Sequence, residues 1–195
     1  MGFAIVSLSC RRCAAASQAS QRGFNLIEVM VVVALLGIAL AIALPNMASM
    51  VRSNRSKGEI EALASSIRMA KTEAIKRGQT VVLCASADAL RCSGSNGWHS
   101  GWLVFEEGAT EGQPADETAI IASEQAFKAG DSLLASANTA LITFNRQGFA
   151  FGLPSGGKVV FSLSTSPEDD NAKRCLVFDL SGNPVIERSG GANCA

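Results

Sequence analysis

The sequence contains no tyrosine and only one histidine, His99. It also lacks the Gly-x-Ser-x-Gly pattern that presents a nucleophilic serine in many hydrolases. His99 lies between Trp98 and Ser100 at the start of a predicted strand, where a structural or surface histidine is more common than a general base. These absences argue against an enzyme, and the sequence predicts neither a catalytic residue nor a cofactor.

The chain has no net charge, because 17 lysines and arginines balance 17 aspartates and glutamates. The first 23 residues contain three of the basic residues, Arg11, Arg12 and Arg22, and no acidic residue. Residues 24–195 therefore have 14 basic and 17 acidic residues, a net charge of minus three. General nucleic-acid binders usually have a basic domain, so the composition argues against that class.

One long apolar run covers residues 26–44, and Glu28 is its only charged residue. A helix of 19 residues extends over about 28 Å, which matches the hydrocarbon core of a bilayer. A carboxylate within a membrane-spanning helix is costly unless it finds a partner. We therefore predict that Glu28 is functional and that its partner is an amine.

A secretory signal peptide is the alternative interpretation of this run. The upstream Arg11 and Arg12, and the small residues Ala41 and Ala43, are compatible with such a signal. The mature protein would then be a free periplasmic binding protein. Against this alternative, the run is longer than the usual apolar region of about 7–15 residues, and a signal peptide has no use for Glu28.

Residues 22–44, which begin Arg-Gly-Phe-Asn-Leu-Ile-Glu, resemble the class III signal of type IV pilins and type II secretion pseudopilins. The resemblance implies that a prepilin peptidase cleaves between Gly23 and Phe24 and methylates the new N-terminus of Phe24. Glu28 then becomes the fifth residue of the processed chain, and the apolar stretch ends at Pro45.

The resemblance also implies a location and a division of the chain. The protein would cross the bacterial inner membrane once, in contact with membrane lipid, with a cytoplasmic N-terminus before cleavage and a periplasmic globular domain. Charge alone leaves the orientation open, because basic residues flank the run on both sides. The implied segments are a cleaved leader (1–23), a transmembrane or filament-core half-helix (24–45), an amphipathic half-helix (46–78) and a periplasmic β-rich domain (79–195).

Four cysteines follow the predicted leader, and four cysteines allow three pairings. We favour Cys84 with Cys92 and Cys175 with Cys194, because each pair closes a short segment and the periplasm is oxidising. A structural zinc site is the alternative, but no pair among the four has the ligand spacing of two to four residues that is usual there.

The hydrophobic pattern beyond Pro45 has a helical period up to about Gly78, with apolar residues at Ile60, Leu63, Ile67, Ala70 and Ala74. The spacing predicts an amphipathic helix. Pro45 is predicted to kink or loosen the junction between the two halves, because it removes one backbone hydrogen bond. Gly78 is a plausible C-cap after two basic residues.

After Gly78 the pattern changes to short β-type runs separated by turn-rich segments. The predicted strands are 80–84, 101–105, 118–121, 141–144, 158–163 and 175–180. Trp98, Trp102 and Phe105 are predicted to pack in the core of this sheet. The expected fold is α+β, a long N-terminal helix on a small antiparallel sheet domain, as in type IV pilins.

Four segments resemble the GspH/FimT family of minor pilins and pseudopilins, namely residues 68–84, 98–107, 142–151 and a terminal strand with Gly182. The resemblance implies a subunit for assembly of a type IV pilus or a type II secretion pseudopilus, held in the inner membrane and incorporated into a filament or tip complex. The implied partners are other pilins, an inner-membrane assembly platform and the prepilin peptidase.

The alternative within this family is a minor pilin that binds DNA during natural transformation. Some such members have a C-terminal glycine and arginine motif, whereas here Asn183 follows Gly182. Lys173, Arg174 and Arg188 remain as candidate phosphate contacts, although the acidic residues at 168–170 oppose them. We interpret that acidic run as a solvated loop rather than a calcium site, and predict no metal.

Overall fold

The computed structural model describes residues 23–108, 110 and 112–194. It has two compact units, Met1–Ile42 and Ala43–Ala195. Residues 1–22, which form all of the predicted leader except Gly23, lie outside the described residues.

Helix α1 (Leu26–Arg77) is preceded by Asn25, a residue suited to cap the start of a helix. The backbone oxygen of Asn25 accepts hydrogen bonds from the backbone nitrogens of Glu28 (2.9 Å) and Val29 (3.2 Å). Its side-chain oxygen accepts one from the nitrogen of Ile27 at 3.4 Å. Asparagine is a favoured N-cap residue, so Asn25 satisfies backbone donors that the first turn leaves unpaired.

The C-terminal end of α1 agrees with the sequence prediction. Lys76 and Arg77 occupy the last turn, and Gly78 follows with a φ of +65°. The nitrogen of Gly78 donates to the oxygen of Ala74 at 3.0 Å. Glycine adopts this left-handed conformation readily, which explains the helix end. The helix includes Pro45, and the kink predicted there stays a prediction.

The β-structure forms two antiparallel sheets, where the sequence predicted one. The first contains five strands in the order β3-β2-β1-β5-β6, and the second contains four in the order β4-β7-β8-β9. The strands are β1 (Val81–Ala85), β2 (Gly101–Glu106), β3 (Ile120–Gln125), β4 (Ser132–Ala135), β5 (Leu141–Phe144), β6 (Ala150–Phe151), β7 (Lys158–Ser164), β8 (Arg174–Asp179) and β9 (Val185–Arg188). Short 3-10 helices cover Trp98–Ser100, Glu117–Ala119 and Ser136–Asn138.

A shared apolar core joins one face of α1 to both sheets. The five helix residues predicted to be apolar contacts are all fully buried, and they belong to the same cluster as Trp98, Phe144 and Phe161. Trp98 meets Phe161 edge-on with ring centroids 5.1 Å apart. Phe105 belongs to a second, smaller cluster with Val82, Cys84 and Leu103. The core positions predicted for Trp98, Trp102 and Phe105 are thus confirmed.

Two disulfides are present in the second unit. Cys84 joins Cys92, and Cys175 joins Cys194. They are the same pairs that the sequence analysis favoured, and they close segments with sequence separations of 8 and 19. The first ties β1 to the loop that follows it, and the second ties β8 to the C-terminal segment.

Candidate functional site

The described part of the N-terminal unit, residues 23–42, is mostly an apolar helix, and it has no buried face. Every described residue from 23 to 43 is exposed, including Phe24 at 82%. A window of 18 residues in α1 has a mean hydropathy of 2.8, and none of it is buried. By length and composition this helix is able to cross a membrane, although a signal sequence has the same properties. Such a continuous apolar surface requires a lipid or protein environment.

Glu28 lies in the first turn of this helix. A carboxylate is stabilised there, because the unpaired backbone N–H groups give the N-terminus of a helix a partial positive charge. Glu28 is the only charged residue between Gly23 and Arg52. In the uncut chain the nitrogen of Phe24 is a peptide nitrogen, and cleavage after Gly23 would turn it into an amine that is charged at neutral pH.

The second unit contains a polar cluster where α1 meets two loops. Arg55 makes two hydrogen bonds of 2.7 Å with Asp131, a residue only 2% exposed. Asp131 also accepts a bond of 2.7 Å from the backbone nitrogen of Ser166. One turn earlier, Asp169 accepts from Ser49 at 2.8 Å and from Arg52 at 3.2 Å. These bonds hold the loops before β4 and before β8 on the helix.

The bonds of Asp169 correct one interpretation from the sequence. Residues 168–170 were expected to form a solvated acidic loop, but Asp169 is part of the polar cluster, and Ser49 is the first cause of its lowered pKa. The contact between Asp169 and Ser49 could not be predicted from a sequence pattern, because 120 residues separate the two. Within the described residues, no group of three or more histidines, cysteines, aspartates or glutamates has an arrangement able to hold a metal ion.

Glu59 lies beside the polar cluster in an unusual setting. Burial and the negative charge of Asp131 raise the pKa of Glu59 to about 7. One of its carboxyl oxygens, Oε2, is buried without a hydrogen-bond partner in the described part of the chain. Burial also acts to raise the pKa of Asp131, but the bonds from Arg55 and Ser166 outweigh burial and hold that pKa below its ordinary value. Of the two carboxyl groups, Glu59 is therefore the one that is favoured to be protonated, and Asp131 stays ionised.

The structure brings together two of the three candidate DNA contacts. Arg174 on β8 lies opposite Arg188 on β9. Arg174 is 7% exposed, and its guanidinium donates to the backbone oxygens of Asn171 and Lys173 and to the hydroxyl of Ser53, each at 2.8 Å. Arg188 is exposed and Lys173 is half-buried. A cleft of about 440 Å³ opens beside the two arginines.

Asn183 has a contact that explains the missing arginine of the DNA-binding motif. The ammonium of Lys71 on α1 donates to the backbone oxygen of Ser181 at 2.8 Å and to the side-chain oxygen of Asn183 at 3.0 Å. An arginine at position 183 would place a second cation beside Lys71 and remove this acceptor. The local structure therefore suits a neutral acceptor at this position.

Sequence reasoning missed several of these residues. Asn25 had a signal, because an asparagine three residues before a glutamate is a pattern typical of helix starts. No local sequence pattern indicated the contact between Arg55 and Asp131, because 76 residues separate them. The same holds for Lys71 and Asn183, which are 112 residues apart.

Comparisons with known proteins identify the family. The model for type II transport protein GspH matches residues 59–182, and the model for the prokaryotic N-terminal methylation motif matches residues 18–44. Comparison with curated protein sequences gave no match.

Solved structures with similar folds include the type IV minor pilin FimU of Pseudomonas aeruginosa strain PAO1 in two crystal forms. The first has a TM-score of 0.56 and 18% identity, covering 73% of this chain and 96% of FimU. The second has a TM-score of 0.53 and 17% identity, covering 71% and 99%. The minor pseudopilin EpsH from the type 2 secretion system of Vibrio cholerae has a TM-score of 0.48 and 11% identity, covering 69% and 98%.

At these identities the two FimU structures show the fold alone. The fold is the type IV pilin fold, with a long N-terminal helix on antiparallel sheets. The GspH model matches more than half of the chain and is preceded by the N-terminal methylation motif. The protein therefore belongs to the GspH/FimT family of minor pilins and pseudopilins.

Proposed function

We propose that this protein is a minor pilin-like subunit for assembly of a type IV pilus or a type II secretion pseudopilus. One observation carries the proposal, namely the wholly exposed apolar helix at the N-terminus. A helix of this kind is stable in a bilayer before assembly and among the apolar helices of other subunits afterwards. The domain division given above, with a leader at 1–23 and a periplasmic domain at 79–195, is part of this proposal.

The proposed location is the inner membrane, crossed once, with the globular domain in the periplasm. Two disulfides in the second unit support this orientation, because disulfides persist in oxidising compartments and are rare in the cytosol. Partners of the protein would be other pilins, the assembly platform and the prepilin peptidase. The assembly role requires no chemistry on a substrate, which agrees with the absence of a nucleophile motif in the sequence.

Glu28 has a specific task in this proposal. After cleavage, the amine of Phe24 on the same or a neighbouring subunit pairs with the Glu28 carboxylate. In a medium of low dielectric constant the attraction between opposite charges offsets part of the cost of removing both from water. Because each group is costly there alone, the pair favours one axial register between neighbouring subunits.

The first test is the N-terminal mass of the protein extracted from membranes, with and without prepilin peptidase in the cell. We expect a peptidase-dependent N-methylated Phe24, and a Gly23→Val variant should retain the leader. A terminus after Ala41 or Ala43 would instead identify a released periplasmic domain and overturn the proposal.

The second test separates the role of Glu28 from membrane insertion. We expect Glu28→Gln to insert in the membrane at the normal level and to co-purify with partner pilins at least about tenfold less, because a lost charge pair of about 1.4 kcal/mol is a tenfold change. Glu28→Asp should retain part of the assembly. Glu61→Gln is the matched control, since Glu61 is exposed and forms an ion pair with the exposed Lys57. Normal co-assembly of Glu28→Gln would remove this role from the carboxylate.

A further inference from the structure

We propose that the cleft between Arg174 and Arg188 is a binding site for a phosphate-type oxyanion. The cleft is lined by two arginines, two serines, one asparagine and one aspartate, namely Ser53, Asp170, Asn171, Arg174, Arg188 and Ser189. This inference is independent of the assembly role, which rests on the N-terminal helix.

The buried guanidinium of Arg174 is the first reason. It donates hydrogen bonds to neutral groups, namely two backbone oxygens and the Ser53 hydroxyl. Within the described part of the chain, no carboxylate lies within ion-pair distance of it. A buried charge usually has an opposite charge as its partner. Arg174 instead uses three of its five N–H donors on neutral acceptors, so its charge is not balanced.

The position of Arg188 is the second reason. β8 and β9 pair in a register that sets Arg188 directly opposite Arg174, and like charges in this arrangement are destabilising. Burial, and then the charge of Arg188, lower the pKa of Arg174. An anion between the two side chains would relieve this repulsion.

The chemistry of the remaining lining residues suits an oxyanion. Arginine forms paired hydrogen bonds with phosphate, and the hydroxyls of Ser53 and Ser189 and the amide of Asn171 are additional donors. Among the residues that the structure describes, Asp170 is the one carboxylate that lines the cleft. Asp170 is exposed, so water and salt screen its charge. The volume, about 440 Å³, is in the range of small-molecule sites.

The phosphate group bound in this cleft would come from one of two sources in a membrane-anchored protein. One is a free anion, and the other is the headgroup of an anionic phospholipid. The experiment begins with the full-length protein in neutral detergent, titrated with sodium phosphate against sodium chloride at constant ionic strength. Binding is followed by calorimetry and by the thermal unfolding midpoint. We expect saturable binding of phosphate and a raised midpoint, because a ligand that binds only the folded state stabilises it.

Arg188→Gln is the decisive variant, because Arg188 is exposed and its loss is compatible with folding. We expect its apparent affinity for phosphate to fall at least about tenfold, the effect of one lost charge-assisted contact. Arg146→Gln is the matched control, an exposed arginine between β5 and β6, and should bind phosphate normally. Equal binding by the two variants, or no phosphate binding by the wild type, would overturn the proposal.

Nanodiscs of phosphatidylglycerol and of phosphatidylcholine distinguish the sources. If the site takes a free anion, phosphate binds equally well in both. If it takes a headgroup, phosphatidylglycerol raises the unfolding midpoint of the wild type but not of Arg188→Gln, and added phosphate has little further effect. Both results support an oxyanion site. Binding of a short DNA duplex that depends on Arg188, without any phosphate binding, would contradict it and favour a nucleic-acid surface.

Discussion

Glu59 is a partly buried carboxyl whose neighbours favour its protonated form. Its pKa is about 7 in the folded protein against an ordinary value of 4.5. Between these values the folded state holds a proton that the unfolded state has released, so the free energy of unfolding falls as the pH rises. The stabilisation is fully present below the lower value and is lost as the pH rises through the upper one.

Glu59→Gln should remove this dependence, because glutamine resembles the protonated acid. We expect the variant and the wild type to be nearly equal in stability at pH 4, and the variant to be more stable by about 1–2 kcal/mol at pH 8, which is less than the full pKa shift corresponds to because solvent screens a half-exposed group. Urea unfolding of the full-length protein in neutral detergent measures both values. Glu61→Gln, a change at an exposed position of α1, should show no such pH-dependent difference. A Glu59→Gln effect of the same size at both pH values would exclude this explanation.

Gly182 is required by its surroundings as well as by its backbone conformation. Its φ is +73°, and a Cβ there would lie 2.9 Å from the backbone oxygen of Gly148 and 3.1 Å from the ring of Phe144. Gly152 has almost the same φ, +72°, but nothing lies within 4 Å of its Cβ position. The two glycines therefore separate the cost of the conformation from the cost of the contact.

We expect Gly152→Ala to reduce the free energy of unfolding by about 1–2 kcal/mol, the cost of a left-handed conformation for alanine. Gly182→Ala should cost about 1–3 kcal/mol more, because the methyl group also overpacks the site. Chemical unfolding of both variants measures the difference. Equal losses would mean that the neighbours of Gly182 move aside at little cost.

Among the elements, β9 is an edge strand held on one side by β8. The disulfide between Cys175 and Cys194 is a second restraint, since it ties the segment after β9 back to β8. Removing it with Cys175→Ala and Cys194→Ala together should cost about 2–4 kcal/mol. We expect faster amide hydrogen exchange in β9 and unchanged exchange in β1.

The paired control is Cys84→Ala with Cys92→Ala, which should speed exchange in β1 and residues 86–92 but not in β9. Similar patterns in the two double variants would show that the disulfides stabilise the second unit as a whole rather than their own strands.

Which elements the sequence could predict depends on how they are buried. The apolar residues of α1 repeat with a helical period over a long stretch. The core residues of this helix and its end just before Gly78 were therefore predictable. β5 was predicted with its observed limits, and β1, β2, β7 and β8 to within two residues at either end. The predicted strand 118–121 differs from β3 at both ends. β3 starts later, at Ile120, because Asp116 caps a 3-10 helix over Glu117–Ala119, and it ends later, at Gln125.

The missed strands are short or lie at sheet edges. β6 has two residues, and β9 is mostly exposed, so neither has a hydrophobic alternation to detect. β4, with four residues, is also an edge strand. The candidate sites also differ in whether the sequence shows them. Glu28 stands out in an apolar run, whereas the polar cluster and the arginine cleft join residues that are distant in the chain and have no local pattern.

At the scale of the whole molecule, the second unit should depend on the polar cluster for its stability. A chain that begins at Val51 retains the bonds from Arg52 to Asp169 and from Arg55 to Asp131. A chain that begins at Gly58 loses both and leaves the buried Asp131 without its cation. We expect the shorter chain to be less stable by about 2–4 kcal/mol, as measured by thermal and urea unfolding.

Both chains retain the core residues of α1 from Ile60 onward. The comparison therefore separates the polar contacts of residues 51–57, which also include those of Ser53 with Arg174 and of Ser56 with Ala172, from the apolar core. Equal stabilities would show that Arg52 and Arg55 position the two loops without stabilising the fold.

The start of α1 at Leu26 has a consequence for processing. Gly23, Phe24 and Asn25 lie outside the helix, and a Cβ at Gly23 would meet nothing within 4 Å. Proteolytic enzymes generally bind their substrates as extended backbone, so a scissile bond inside a helix must first be unwound. The bond between Gly23 and Phe24 would need no unwinding, and its hydrolysis would leave Asn25 still capping the helix. Maturation would thus change the chemistry of the chain end while the helix that follows stays intact.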